Sequence, residues 1–531
     1  MKKTMKQHSF TTRLKSLAVV FGIALAFASC ANEDVAQNPT NPNEDNDKNL
    51  TTFVAGDEAK TRTTMDYNTG NFFWEAGDYI YVKDDDGVLR KSTNAPTSKV
   101  AAFKYKVPGK FTTSSSYKVY YLGKNSNGSQ VTISTAQTQT KPDNTEHFGT
   151  AGDYGTATAI KVTGKNQFAF ELEHQPAYLV FQPYTSNTIL HNCYLTGVEV
   201  SSDNDIAETY TVNTSTGALT GSAGSKQIIL TTSGSSTNPN GFPLTNSAAS
   251  VTTNGAYMVI KPGTHILRVR YWVLDVATNV QGTITKILPA TAYASNTYYD
   301  MTANLNVKDY DGDHYYMWDA QEQYWKGYEW YNGGSQPTLR QGLTGATTSN
   351  DYAQSNTDPR YWNEAFTYSA DNKATHTSCK DLPNANEMTW YCMYGDPHFD
   401  NDELWTTMGH LYKGGMWFKK KSVLLAEGNY NTEKSADNIT DLRTTWRNYG
   451  NSSINFSVLS AADAGNYFYL PALGYYDSGH LYYVGYNGYY WSSSAHPKIS
   501  NGAYNLNFTG GSVTVNSLDR NNGNRIEPSF K

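Results

Sequence analysis

Cysteine is scarce in this chain, with four in 531 residues, at positions 30, 193, 379 and 392. That excludes the disulfide framework of a small secreted domain. Beyond Cys30 at most one bridge is available; Cys379 and Cys392, close in sequence, are the candidate pair, and two buried free thiols are the alternative. Charge is also scarce, at 17% of residues, and 42 Lys and Arg against 48 Asp and Glu leave a formal net charge of −6. No strongly basic run follows the first segment, so neither nucleic acid nor an anionic membrane surface is expected as a partner. No apolar run reaches the ~20 residues of a membrane-spanning helix. The GxSxG, GxxxxGK[ST], HExxH and CxxC signatures are missing as well. No enzymatic activity and no cofactor are expected.

What is present is polar and aromatic. Tyr (41) and Gly (42) are abundant beside Thr, Ser and Asn, the balance of an extracellular, mainly β protein.

The first residues read as an export signal. Lys2, Lys3, Lys6, Arg13 and Lys15 form a basic start, an apolar stretch runs from about Leu17 to Phe27, and Ala28 and Ser29 are the small residues before a signal-peptidase cut. Cys30, directly after that cut, is placed as the acyl acceptor of a bacterial lipoprotein, where each buried methylene contributes about 0.8 kcal/mol of membrane affinity. Residues 1–29 are thus the expected signal peptide. Residues 30–50, rich in Asn, Asp, Glu and Pro, are the expected solvated tether.

From residue 51 to about 305, short segments alternate with period two between polar turns. Strands are expected near Tyr79 to Val82, Lys118 to Leu122, Phe168 to Leu172 and Tyr178 to Phe181. Ala256 to Ile260 and Ile266 to Val276 read as a half-buried antiparallel pair about Pro262 and Gly263, with Leu267, Val269, Tyr271 and Val273 on one face and Arg268 and Arg270 on the other. Strand upon strand with no long amphipathic helix points to β-sandwiches.

Several of these segments resemble a family. Phe53, the triplet Thr61, Arg62, Thr63, and the run from Trp74 through Gly77, Asp78 and Ile80 to Val82 are similar to the "F…TRT…W…GD.I.V" opening of the Mfa-like fimbrillins of Bacteroidales, the type V pilins. Phe168 to Phe181 resembles the opening of their second domain. Ala294 to Leu305, with Tyr298 and Tyr299, resembles the closing strand, without the family's usual Gly before the Tyr. The resemblance implies two transthyretin-like β-sandwich pilin domains, 51–165 and 166–305. It also implies a lipoprotein precursor cut between Arg62 and Thr63 by an Arg-specific protease. Loss of the first strand would open a groove for a strand of another pilin subunit, which is β-augmentation.

After residue 305 the pattern changes. Only Trp74 and Trp272 precede this part; every other Trp lies within it. A helix is expected over Glu403 to Tyr412, capped by Asp402, with Leu404, Met408 and Leu411 on one face and Gly414 and Gly415 ending it. Another is expected from Asn384 or Asn386 toward Tyr394. Hairpins are expected at Leu481 to Tyr486 with Tyr489 to Ser493 about Asn487 and Gly488, and at Tyr504 to Phe508 with Val513 to Val515 about Gly510 and Gly511. Val307 to Tyr315, Gly488 to Ser494, Ala503 to Phe508 and Gly523 to Pro528 resemble the opening and closing motifs of the "major paralogous" (FISUMP) domains of C-type-lectin-like fold. That implies an α+β adhesive domain over 306–531.

Clustered carboxylates at Asp396, Asp400 and Asp402, beside His398 and Glu403, are a minor candidate for Ca²⁺, with Asp402 already assigned as a helix cap. Asp309, Asp311 and Asp313 look like the start of an EF-hand, but Gly312 and Ala320 fall where that loop cannot use them. Trp491 is expected in the core. Tyr475, Tyr476, Tyr482, Tyr483 and Tyr486, around Asp477 to His480, are the candidate ligand contacts, because Tyr offers an apolar face with a polar edge. The parts together read as a fimbrial tip adhesin at the cell outer membrane, whose last segment is folded into the extra domain rather than free as a donor strand. Its expected partners are other pilin subunits and a host or bacterial surface glycan or protein. The alternative is a permanently anchored glycan-binding lipoprotein of a polysaccharide-uptake system.

Overall fold

The computed structural model describes residues 7–9, 49–56, 64–124, 126–276, 279–338, 348–364, 373–527 and 530, apart from 69, 71, 214 and 215. Strands dominate, and the chain forms two compact units. The first comprises Met1–Ser186, Tyr194–Tyr271 and Leu288–Leu305; the second comprises Asn187–Cys193, Trp272–Ile287 and Asn306–Lys531.

In the first unit one sheet runs in the order Leu89–Lys91, Ile80–Lys83, Ser116–Tyr121, Gly155–Lys161, Gln167–Phe170, Leu50–Ala55, Phe103–Pro108. Its ends are drawn together, since Thr93 N–H donates to Lys106 O and Lys106 N–H to Asn94 Oδ1, each at 2.7 Å. Alternate residues Phe53, Ala55, Tyr105, Val107, Val119 and Tyr121 fill the enclosed core, as a period-two pattern requires. Leu50–Ala55 is an interior strand. It runs parallel to Gln167–Phe170, with Phe53 opposite Phe168, and antiparallel to Phe103–Pro108, with Phe53 opposite Tyr105.

A second pair of sheets makes a sandwich. Thr297–Asn304, Ala177–Tyr184 and Ala256–Ile260 form one layer. The other contains Ala136–Thr138, Gln227–Thr231, Cys193–Ser202 and Gly263–Asp275. Phe181 of the first meets Tyr271 of the second edge-on at 6.0 Å. Gln7–Ser9, inside the expected signal peptide, pairs with Thr297 to Tyr299; a chain shortened to Cys30 would leave that strand as the edge.

Three expectations change here. Pro262 and Gly263 do not turn a hairpin, because Ala256–Ile260 and Gly263–Asp275 enter different sheets. Arg268 and Arg270 face no solvent; both are buried, and Arg268 lies 3.3 Å from Glu199. The boundary expected at 165/166 is also crossed in both directions. Gln167–Phe170 lies in the first sheet, whereas Gln130–Thr132 pairs with Ala207–Val212 and Ala136–Thr138 with Gln227–Thr231. Two glutamines two positions apart complete that join. Gln137 exchanges hydrogen bonds with both the N–H and the C=O of Val259, and Gln139 accepts from Tyr257 N–H and donates to Gly255 O. Their amides serve Ala256–Ile260 as a neighbouring strand would.

The second unit is α+β. One sheet joins Thr283 to Glu403 in His398–Thr407, followed by His410–Lys419 and Tyr467–Pro471. Another runs Tyr315–Tyr316, Asn524–Arg525, Gly488–Ala495, Gly502–Thr509, Ser512–Asp519, Tyr449–Asn451. The expected helix near Asn384 forms over Ala385–Tyr394, with Asn384 and Glu387 closing a capping box. It packs on the second sheet through Met388, Tyr391 and Cys392. The hairpin about Gly510 and Gly511 is present, and Trp491 is buried in the core. The helix expected over Glu403 to Tyr412 is absent. His398–Thr407 and His410–Lys419 form a hairpin, turning at Met408 and Gly409 with φ of +48° and +77°. Asp402 caps nothing and lies 3.4 Å from Lys413. The hairpin expected about Asn487 and Gly488 is replaced by one between Leu473–Asp477 and His480–Val484.

Candidate functional site

Two places in the fold hold the residues of interest. The first is the interior strand Leu50–Ala55. Phe53 is fully buried between Phe111, edge-on at 5.1 Å, and Phe168, stacked at 5.2 Å. Downstream, the fold takes hold again at Thr64–Met65, which pairs with Phe72–Phe73, and Thr145 Oγ1 bonds both Met65 N–H and Met65 O. Arg62 and Thr63, between these two anchored strands, lie outside the described residues, as does Cys30.

The second place is the hairpin Leu473–Asp477 with His480–Val484. Ser478 and Gly479 turn it with φ of +48° and +77°, the both-positive geometry of a tight two-residue turn. Tyr476 and Leu481 face inward and are buried, so Tyr476 is removed from the candidate contacts. Its hydroxyl donates to Pro337 O at 2.7 Å. Tyr475 and Tyr482 are cross-strand partners with ring centroids 5.7 Å apart. Tyr483 lies 6.3 Å from Tyr475 and 5.9 Å from Tyr482. Two residues that spacing did not single out as contacts complete the group, Tyr489 at 4.5 Å from Tyr475 and His480 stacked on Tyr482 at 5.5 Å. Tyr483 and Tyr486 are 52% and 70% exposed. Tyr486 stands beside the group, its N–H bonded to Tyr483 O.

Gly474 and Tyr483 both take left-handed backbone, at φ +64° and +59°. A Cβ at Gly474 would meet Tyr482 O at 1.9 Å, so glycine is required there. Burial, then the neighbouring phenols and Asp477, push the Tyr475 hydroxyl up to about 12. It remains a protonated donor at neutral pH.

The remaining candidates are not assembled. Cys379 and Cys392 are free and buried in different clusters, as Cys193 is buried and free elsewhere, so no Cys379–Cys392 bridge forms. Asp396 accepts from the Tyr467 hydroxyl. Asp400 accepts from the N–H groups of Asp402 and Glu403. Glu403 accepts from Thr285. Among the described residues no three His, Cys, Asp or Glu side chains gather to hold a metal ion, which removes the Ca²⁺ candidate. Asp311 instead caps a short turn through Asp313 N–H.

No protein-family model matches the chain, and no curated protein matches it. Solved structures similar to it include a candidate cell adhesion protein from Bacteroides uniformis, at 16% identity over 48% of this chain and 93% of that one, TM-score 0.28. Others are the fimbrial anchor protein Mfa2 from Porphyromonas gingivalis, at 12% identity over 45% and 82%, TM-score 0.22, and a fimbrial protein from Bacteroides ovatus, at 12% identity over 90% and 98%, TM-score 0.23.

Proposed function

We propose that this chain is a fimbrial subunit of the type V pilin kind, exported as a lipoprotein through Cys30 and placed at the tip, where the second unit meets a glycan or protein ligand. The observation that carries the reading is the position of Leu50–Ala55. It is an interior strand whose loss would leave a gap exactly one strand wide between Gln167–Phe170 and Phe103–Pro108. Arg62 follows it in sequence, so a cut between Arg62 and Thr63 would sever that strand from the rest of the unit. Displacement of the severed strand would open the ladders on both sides to an extended segment from another subunit. Residues toward the other end are committed to the second unit's own core. Asn524–Arg525 pairs with Tyr315–Tyr316, and Phe530 is 4% exposed. Those residues would have to abandon that core to serve as a donor strand, which supports a position where they do not supply one.

The test is an immunoblot of sheared fimbriae with an antibody against residues 306–531, from cells carrying the natural chain or Arg62→Ala. The chain is expected in the polymer fraction with its new start at Thr63, and Arg62→Ala is expected to keep it on the cell. An intact Thr61 to Thr63 segment on cells, with no chain in the polymers, would replace this reading with that of a permanently anchored glycan-binding lipoprotein.

A further inference from the structure

Along an undisturbed strand consecutive side chains leave opposite faces, so Tyr482 and Tyr483 should be separated by their own backbone. They are not. With Tyr483 at φ +59°, the two rings come to 5.9 Å, and both lie beside Tyr475. A bulky residue in the left-handed region is an outlier whose strain persists only where the surroundings impose it, and such outliers cluster at functional sites. Here the strained residue is the one that brings the rings to one side.

The geometry of the group discriminates between ligands. Interplanar angles from Tyr475 to Tyr482, Tyr483 and Tyr489 are 31°, 16° and 44° at centroid distances of 5.7, 6.3 and 4.5 Å, so the rings stack and tilt against one another in one cluster, of which Tyr483 is the exposed member. A cage for a quaternary ammonium needs aromatic faces turned on the cation from several sides, and this group has no such enclosure. An anionic ligand would need positive charge, yet residues 473–495 contain no Lys or Arg. The hydroxyls of Tyr475, Tyr482, Tyr483 and Tyr486 make no hydrogen bond among the described residues. Flat apolar faces with an uncommitted hydroxyl rim match a sugar ring, which is apolar on its C–H face and hydroxylated at its edge.

We infer that this cluster binds a neutral carbohydrate, with a pyranose ring packed against the exposed Tyr483 and its hydroxyls meeting the phenols of Tyr475, Tyr482 and Tyr486. The inference rests on the reading of the second unit as the ligand-contacting part, and it names the ligand class and the surface.

The test is affinity electrophoresis of the full chain in gels containing galactomannan, xyloglucan or glycogen, with polygalacturonate and free choline as the anionic and cationic probes. Retardation by at least one neutral polysaccharide is expected, unchanged in high salt. Tyr483→Ala and Tyr486→Ala should weaken it roughly tenfold or more, while Phe456→Ala, an exposed aromatic of another loop, leaves it unchanged. Tyr483→Gly keeps the left-handed backbone without strain. It should lose binding as fully as Tyr483→Ala while melting about 2 °C higher than that variant, which separates loss of the ring from loss of the fold. No retardation by any neutral polysaccharide, retardation insensitive to Tyr483→Ala and Tyr486→Ala, or binding only to polygalacturonate or choline would each overturn the inference. A chain that enters fimbriae but binds no neutral polysaccharide defeats this inference alone; one that binds but never enters fimbriae defeats the tip reading alone.

Discussion

His147 is buried in the first unit, its ring edge-on to Phe148 at 5.3 Å and its Nε2–H donating to Tyr257 O at 2.9 Å. Burial pushes its pKa down to about 4, against smaller upward effects from that hydrogen bond and Glu146. The folded value lies below the unfolded one of about 6.5. The folded state therefore favours the neutral ring, and the associated stability is complete above about pH 6.5 and lost as pH falls toward 4. Relative to His147→Gln, the natural chain should lose about 3 kcal/mol of unfolding free energy between pH 7 and pH 4, read from urea titrations at the two pH values. The three described cysteines make a second residue-scale prediction. Burial pushes Cys193, Cys379 and Cys392 up to about 12, so iodoacetamide at pH 8 should leave the folded chain unlabelled at these positions. Unfolding without any reductant should make all three react, as peptide masses would show; a bridge would leave two of them unmodified.

At the scale of elements, several strands were legible because burial alternates with the pleat, as Phe168 and Phe170 illustrate. The helix at Ala385–Tyr394 was legible from its cap. The misreading at Glu403 to Tyr412 has a physical source. Leu404, Met408 and Leu411 have helical spacing, but the same spacing arises when a hairpin turns at Met408 and Gly409 and an irregularity between Asp400 and Leu404 breaks the alternation. The tyrosine hairpin was half legible. Tyr density marked the region, but the alternation that sends Tyr476 inward and the kink that brings Tyr483 beside Tyr482 depend on a register set by contacts distant in sequence. The glutamine pair left no pattern to detect, because its function depends on a strand more than a hundred residues away. Gln139→Ala would leave Tyr257 N–H without its partner in a buried setting and should cost about 1 to 3 kcal/mol in chemical denaturation. Phe53→Ala should cost the uncut chain about 3 to 5 kcal/mol, measured the same way.

At the scale of the whole molecule, the rise in Trp content after residue 305 accompanies the longest segment of the second unit, Asn306–Lys531, but nothing in composition marks Asn187–Cys193 and Trp272–Ile287 as belonging to that unit. The exchange of strands on either side of residue 165 was not visible, since a strand's sequence encodes which face is buried and not which neighbour it pairs with. That exchange ties 51–165 to 166–186, 194–271 and 288–305 in one compact unit, while Asn187–Cys193 and Trp272–Ile287 fall in the second. The segments that share the first unit should therefore unfold in one calorimetric transition, and a chain truncated at residue 165 should fail to give a protease-resistant fragment.

Leu50–Ala55 has hydrogen-bonded neighbours on both sides, and this separates scission from opening. A protease that cuts between Arg62 and Thr63 breaks one covalent bond and neither ladder, so the nicked molecule remains closed, with the severed peptide held in place as a plug. Native gel filtration of the cut chain should keep the two pieces together until urea is added. Under the proposed assembly by strand exchange, its timing would then be set by the arrival of a competing strand that displaces the plug, and a nicked precursor would wait without exposing an open groove to aggregation.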